Sequence, residues 1–593
     1  MAWRVPEAID REVRLQQHCE VRSQEHSDFI IGFVLALLAL VWRLYYGINR
    51  GLPSQDEVWS AVTAFHILQH PGFVPFQIGQ AYMGTVQEYV AAGLMMLMGV
   101  NEMALRLPAA MFFAAAVFIT YNTISREISR EDALASSILM VASNSAVVLY
   151  TGAFAMPGYA AGIFLAAAIG WQTFRVDRSR TLAQWVLLGA LAGFGAYLFQ
   201  ILILQTIASL VFLATRATLF DRLKPAARNW DFRTLVACGV VACILLLAVA
   251  YRFLTRRGTY AAGPLDLTLL CGGLVLAGVS ATLMVRILRP SQANLVSIGS
   301  FSIVFAVFQA LPNFWFRYHE LPSLVADHVP LWQGGTYSLK HMHEWVDNAC
   351  LLFNHVLPLL AVGRIGSMPE PDVSGPCPID AVGVVSVAGV LLFVALLVRH
   401  FQLRKRLILA CPESVFILPL LMLVLVLFPS WRLFGAGSYR YTLVFVPGLC
   451  LGLVIAVRAI TNSRAILFGL IGVYALYSGY DCLANRQFVR PDKDCVGIAA
   501  QLLEHKIDGA LVSGKCVAVL VWRTAGRVWV ADAAASTTSY LYPRASSIAA
   551  AETIAAVNLD EVRLARILGG SANEFASNEI LSPGVVIYRR KRS

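Results

Sequence analysis

The chain has 593 residues, of which 58% are hydrophobic and 14% charged, with a mean hydropathy of +0.65. A soluble domain is about a quarter charged, so the composition excludes an ordinary soluble protein, and the recurrent apolar blocks exclude collagen-like, disordered and disulfide-scaffold classes. The net charge of +11 is spread as short basic clusters between apolar blocks, the positive-inside pattern of a membrane protein rather than a nucleic-acid-binding surface.

Each bilayer crossing consumes roughly 20 mostly apolar residues. Apolar windows fall near 28–47, 105–124, 133–150, 158–174, 183–199, 200–216, 234–253, 265–285, 293–312, 380–398, 413–430, 441–457 and 465–482. The predicted fold is an α-helical integral membrane protein of about 13 transmembrane helices. Residues 1–27 are polar and form an N-terminal segment without a cleavable signal, so the first helix itself serves for insertion. Arg4, Arg11, Arg14 and Arg22 precede it, and Arg126, Arg130, Arg175, Arg178 and Arg180 follow in alternate loops. The run Arg399, Arg404, Lys405, Arg406 falls on the same side, which is therefore cytoplasmic. Arg256 and Arg257 fall on the other side and run against the rule. The expected location is the inner (plasma) membrane, with the transmembrane part covering 28–482.

Two loops on the outer face, 48–104 and 313–379, are too long to be connectors and are rich in aromatic, Gly, Pro and His residues. In the first, Val58, Ala61, Val62, Phe65 and Leu68 recur at helical spacing, predicting an interfacial helix. Ser54 and Glu57 stand at capping-box spacing at its start, as do Thr85 and Glu88 at the start of a second apolar stretch, 86–100. That stretch is too short to cross and is expected to lie at the interface. Residues 351–362 read as a re-entrant or interfacial piece. From about 483 the apolar runs shorten. Strands are expected at 511–513, 517–522, 528–531 and 585–588, with helices at 496–504 and 548–557, giving a small extracytoplasmic α/β domain over 483–593.

Asp56 and Glu57 in the first outer loop, Tyr82-Met83-Gly84 opening a short segment, and Leu105-Arg106-Leu107-Pro108 entering the next span carry a resemblance. Leu191-Ala-Gly-Phe-Gly-Ala-Tyr197, Leu311-Pro312-Asn313 and Arg440-Tyr441 extend it along the chain. The order of these motifs resembles the type C glycosyltransferase superfamily, nearest its protein O-mannosyltransferase and lipid A aminoarabinose transferase branches. The resemblance implies a polyprenyl-phosphate-linked sugar as donor, an inverting transfer on the outer face, and the loop aspartate as catalytic base. The acceptor is a membrane lipid, a glycan or a protein.

That chemistry suits the residues. A carboxylate must take the acceptor hydroxyl proton, which points to Asp56 with Glu57 beside it. A cation must meet the departing lipid phosphate, and the planar fork of Arg440 at the outer end of a span fits that task. Tyr82, Glu88 and Tyr441 are candidate substrate contacts, as are Arg317 and Lys340 in the second loop. His341 and His343 offer two imidazoles to a divalent metal, although i,i+2 positions on a helix diverge. The short turn 151–157 lacks the acid found in some relatives, which leaves a metal with few oxygen ligands. The rival reading is a transporter or flippase of lipid-linked sugars, but ionisable groups gather at the ends of the spans rather than midway. A scaffold for the tail leaves the acids of the outer loop without a purpose. On the outer side, Cys495 and Cys516 in the tail and Cys350 and Cys377 in the second loop are placed where disulfides could form.

Overall fold

The computed structural model describes residues 7–47, 55–69, 71–77, 80–216, 292–318, 349–363, 381–403, 408–427, 439–484, 493–512, 516–524, 527–532, 553–557, 575–582 and 585–590. Helix α1 spans Glu7–Gly47, α2 Gln55–Gln69, α3 Val86–Met98 and α4 Glu102–Glu127, with a hairpin of β1 (Phe76–Gln77) and β2 (Gln80–Gly84) between α2 and α3. The chain then runs through α5 (Arg130–Val141), a short α6 (Ser145–Val148), α7 (Tyr159–Ser179), α8 (Leu182–Leu198), α9 (Ile203–Arg216) and α10 (Gln292–Tyr318). After α11 (Leu357–Val362) come α12 (Ala381–Leu403), α13 (Ser414–Leu427), α14 (Tyr439–Thr442), α15 (Val446–Ile460) and α16 (Arg464–Ala484).

Among the described residues, five helices are long and apolar enough to cross a membrane: 24–47, 102–127, 381–402, 440–460 and 464–484. A sixth crossing is available if α5 and 145–153 form one broken span. The expected spans 234–253 and 265–285 lie outside the described residues. The chain is a multi-pass membrane protein, and the outward faces of α1, α12 and α16 carry the bare Val, Leu and Phe side chains that lipid contact requires. The stretch 86–100 contains α3, whose 13 residues reach only about 20 Å, too short for a crossing.

The broken span bends by 82° between α5 and residues 145–153. A break inside a bundle leaves helix-end carbonyls that must be satisfied. Arg43, fully buried on α1, donates to Met140 O at 3.0 Å and Val141 O at 3.2 Å, the last carbonyls of α5. A cation at a helix C-terminus also complements the helix dipole. Its guanidinium lies 3.6 Å from the centroid of Phe113, and Asn144 caps α6 by accepting from Val147 N at 3.1 Å. The π-turn after α6, 149–153, places Gly152 at φ +135°, a conformation suited to glycine. Gly47 passes so close to it that a Cβ there would sit 2.3 Å from Ala153 O. The turn 151–157 is thereby brought against the start of α2.

At the C-terminus, α17 (Lys493–Glu504) and α18 (Cys516–Arg523) flank a five-stranded mixed sheet of order β4-β3-β5-β7-β6. Its strands are β3 (Gly509–Val512), β4 (Trp529–Asp532), β5 (Thr553–Val557), β6 (Phe575–Ser582) and β7 (Val585–Arg590). β3 is parallel to both β4 and β5, and β7 is antiparallel to both β5 and β6. Two sequence expectations are overturned. The apolar run 517–522 is helix α18, not a strand, because a short buried run has no periodicity to separate the two. Residues 553–557 form central strand β5 where a helix was expected. A strand buried on both faces reads as continuous apolar sequence, and its Ile554, Ala555, Ala556 and Val557 are all buried. The expected Cys495–Cys516 bridge is present, with Cα atoms 5.3 Å apart. Cys350 is also disulfide-bonded, while Cys377 lies outside the described residues.

Candidate active site

Within the loop 48–104, the described residues form α2, the hairpin and α3. α2 and α3 pack together through Val58, Ala61, Val62, Phe65, Ala91 and Met95. That is the apolar face which the spacing of α2 predicts. Asp56 stands in the first turn of α2, immediately before Glu57.

Glu57 is fully buried. Its Oε1 accepts from Arg106 Nε at 2.8 Å and its Oε2 from Arg106 Nη2 at 3.0 Å. This is the parallel fork that Arg and carboxylate make best. Arg106 comes from α4, where its Nη1 also donates to Gly47 O at 2.6 Å. Ala155 N, in the turn delivered by the broken span, donates to Glu57 Oε1 at 3.0 Å, and Phe154 lies under the guanidinium with its centroid 4.6 Å away. Burial holds the Glu57 carboxyl above the usual carboxylate range, and Arg106 and the Ala155 amide offset only part of that rise. One carboxylate thus ties together α1, α2, α4 and the turn 151–157. The turn contributes a backbone N–H donor to the Glu57 carboxylate, and Glu57 is committed to Arg106.

Glu88 does not form the expected capping box. The Thr85 hydroxyl instead donates to Val74 O, and no side chain caps α3. Glu88 turns inward, where its Oε1 accepts from Ser60 Oγ at 2.8 Å. Ser60 Oγ in turn accepts from Gln77 Nε2 at 3.0 Å. Ser60 lies three residues after Glu57, on the same face of α2. Burial pushes Glu88 up to about 7, with the Ser60 hydroxyl pulling against it. Glu88 Oε2, Gln77 Oε1 and Gln87 Oε1 are buried without a hydrogen-bond partner among the described residues. Gln87 Nε2 reaches Met156 O at 3.4 Å, back in the same turn.

Tyr82 lies on β2, whose neighbour Met83 bridges Phe199 in antiparallel fashion. The ring of Phe199 stacks on Tyr441 with centroids 6.2 Å apart, and Tyr159 lies within 6.3 Å of Tyr441. Tyr441 is buried, while Arg440 is half-buried with its guanidinium 5.5 Å from the Tyr441 ring. Tyr197, from the Leu191–Tyr197 motif, donates to Pro75 O and props the hairpin from below. Glu88 therefore connects to the hairpin through Ser60 and Gln77, and Tyr441, distant in sequence, connects to it through Phe199 and Met83. Arg317 lies near the end of α10. Lys340, His341, His343 and Ser54 lie outside the described residues, and among the described residues no group of three or more His, Cys, Asp or Glu could hold a metal.

Sequence reading missed the roles of Ser60, Gln77, Gln87 and the Ala155 amide, which carry no motif. Arg106 was visible only as part of Leu-Arg-Leu-Pro, with no role attached.

Residues 84–228 match the family model of dolichyl-phosphate-mannose-protein mannosyltransferases. The match runs from the end of the hairpin through α9, and it bears out the resemblance to type C glycosyltransferases. No curated protein matches the sequence significantly. Among solved structures the chain is similar to ArnT from Cupriavidus metallidurans bound to undecaprenyl phosphate, at 10% identity over 94% of this chain and 97% of that one, TM-score 0.48. It is also similar to the Archaeoglobus fulgidus oligosaccharyltransferase in complex with Zn and sulfate, at 13% identity over 94% and 73% of the two chains, TM-score 0.45. A third is AglB from Archaeoglobus fulgidus with an inhibitory peptide and a dolichol-phosphate, at 10% identity over 96% and 74%, TM-score 0.43.

Proposed function

We propose that this chain, similar over residues 84–228 to the dolichyl-phosphate-mannose-protein mannosyltransferases, is a membrane glycosyltransferase. It moves a sugar from a polyprenyl-phosphate donor to a lipid, glycan or protein hydroxyl on the outer face of the plasma membrane. The observation that carries this reading is the Glu57–Arg106 fork with the Ala155 amide, which fixes the start of α2 and so the backbone of Asp56.

In the proposed reaction the Asp56 carboxylate takes the acceptor O–H proton as the oxygen attacks the anomeric carbon. The bond from that carbon to the phosphate oxygen breaks, the configuration inverts, and the electron pair leaves with polyprenyl phosphate. Arg440 neutralises the charge gathering on that phosphate. Tyr82, Glu88, Arg317, Lys340 and Tyr441 are assigned to substrate binding, and Glu88 near neutrality can hold a proton for a sugar or acceptor oxygen. The Cys495–Cys516 bridge supports placing the C-terminal unit in an oxidising, extracytoplasmic compartment.

The test is purified full-length protein in lipid nanodiscs incubated with a panel of polyprenyl-phosphate sugars and, as acceptors, lipid, glycan and peptide. Release of polyprenyl phosphate with one donor, lost in Asp56→Asn without a change in thermal stability, is the expected result. Full activity in Asp56→Asn would remove Asp56 from the reaction. Donor movement across a bilayer with no bond broken would establish the flippase instead.

A further inference from the structure

The Glu57–Arg106 pair continues into the C-terminal part of the chain. Arg106 Nη1 lies 3.3 Å from Glu102 Oε2, one turn earlier on α4. The other oxygen of Glu102 accepts from Arg523 Nη2 at 2.8 Å, across 421 residues of sequence. Arg523 is the last residue of α18. That helix packs on α2, the helix that carries Asp56 and Glu57. Val519, Leu520 and Trp522 of α18 share one buried core with Val58, Ala61, Val62 and Phe65 of α2. The Cys495–Cys516 bridge pins the first residue of α18 to α17. Arg523 thus sits at the end of a helix whose other end is covalently held.

We infer that Arg523 is a positioning residue for the loop site, acting through Glu102 on Arg106 and so on Glu57 and the first turn of α2. The inference rests on the glycosyl-transfer reading for its kinetic consequence, though not for its structural one. Four charges alternate along the row Arg523, Glu102, Arg106, Glu57. Each inner member is shared between two opposite neighbours. If Arg523 is removed, Glu102 retains Arg106 as its cation. It then competes for the Nη1 that also holds Gly47 O at the end of α1. Glu57 loses part of its fork by that displacement, and the backbone of Asp56 moves with it. Nothing in this chain of contacts touches a donor, so the effect falls on turnover rather than on donor affinity.

Arg523 and Glu102 are each about a quarter exposed in their side chains, so solvent tempers the coupling and a moderate effect is expected. Removal of a link in such a network changes a coupled site by about twofold to thirtyfold. Full-length wild type, Arg523→Gln, Arg523→Lys, Glu102→Gln and the double variant Arg523→Gln/Glu102→Gln should be compared in nanodiscs. Turnover (kcat) and donor KM are measured on the donor that wild type consumes, and backbone hydrogen exchange is measured over 55–69. Expected are a kcat lower by about fivefold in Arg523→Gln with donor KM unchanged, faster exchange over 55–69, and recovery of both in Arg523→Lys. Lysine keeps the charge and one contact to Glu102. The double variant should be no worse than the poorer single, as for members of one network. Wild-type kcat and exchange in Arg523→Gln, a loss confined to KM, or additive losses would overturn the inference. If wild type consumes no polyprenyl-phosphate sugar, the functional reading fails alone, and exchange over 55–69 still decides the positioning role. Should Arg523→Gln fail to fold, exchange in Glu102→Gln against Arg523→Lys makes the same distinction.

Discussion

Glu57 and Arg106, 49 residues apart, face each other through two hydrogen bonds of 2.8 and 3.0 Å with both side chains almost wholly removed from solvent. Such a pair recovers its desolvation cost only when geometry is good and the remaining valences are filled. Here the Ala155 amide and the Gly47 carbonyl fill them. Breaking the pair leaves a buried charge without its fork. Arg106→Met should destabilise the protein by about 3–5 kcal/mol, seen as a lower midpoint of thermal unfolding in detergent. Glu57→Gln keeps the shape and should cost less while still lowering transfer. An Arg106→Met midpoint equal to wild type would show that the pair is not what holds α2.

Arg440 offers a planar fork of donors, whereas lysine offers a point charge. Arg440→Lys should weaken binding of a polyprenyl-phosphate donor, by about tenfold if one charge-assisted hydrogen bond of roughly 1.5 kcal/mol is lost. Donor titration by microscale thermophoresis checks it. Equal affinity in the two proteins would leave Arg440 as a headgroup contact with Tyr441 as its platform.

Burial of Glu88 raises its pKa from 4.5 to about 7. The folded state then holds the proton more tightly than the unfolded state. Its contribution to stability is complete below the unfolded value and is lost as pH rises through the folded one. Wild type should therefore lose about 3 kcal/mol from this group between about pH 4.5 and 7. Glu88→Gln, which stays neutral, should flatten the stability profile in that window. A slope equal to wild type in the variant would show that Glu88 is ionised throughout.

The bridge between Cys495 and Cys516 closes a loop with a sequence separation of 21. Constraint of the unfolded chain by a loop of that size contributes about 3 kcal/mol. Cys495→Ser should loosen α18 and, through the core it shares with α2, raise hydrogen exchange over 55–69 as well as over 516–523. Faster exchange in 516–523 alone would show that α2 holds its place without the C-terminal helix.

The range over which each signal acts explains how much of the fold and site could be read from sequence. The membrane class, the loop 48–104 with its helices, and the placement of Asp56 and Glu57 at the start of α2 were legible because composition and helical spacing are local. The Leu-Arg-Leu-Pro motif was visible too, as was the Arg440-Tyr441 pair. The capping box at Thr85 and Glu88 was misread for the opposite reason: the spacing is right, but Val74 and Ser60 compete for those side chains from elsewhere in the chain. The strand expected at 517–522 failed on a run too short to show a period.

Sequence alone therefore determined that this is a multi-pass membrane chain resembling the type C glycosyltransferases, with the candidate acids Asp56, Glu57 and Glu88 in the one loop 48–104. Only the tertiary structure decided which acid is already taken. Glu57 is committed to Arg106, Glu88 is turned inward to Ser60, and Arg43 holds open the break that brings Ala155 to Glu57. Helical propensity and hydropathy act over a few residues, whereas a buried charge is assigned by whichever partner the folded chain brings within about 3 Å of it.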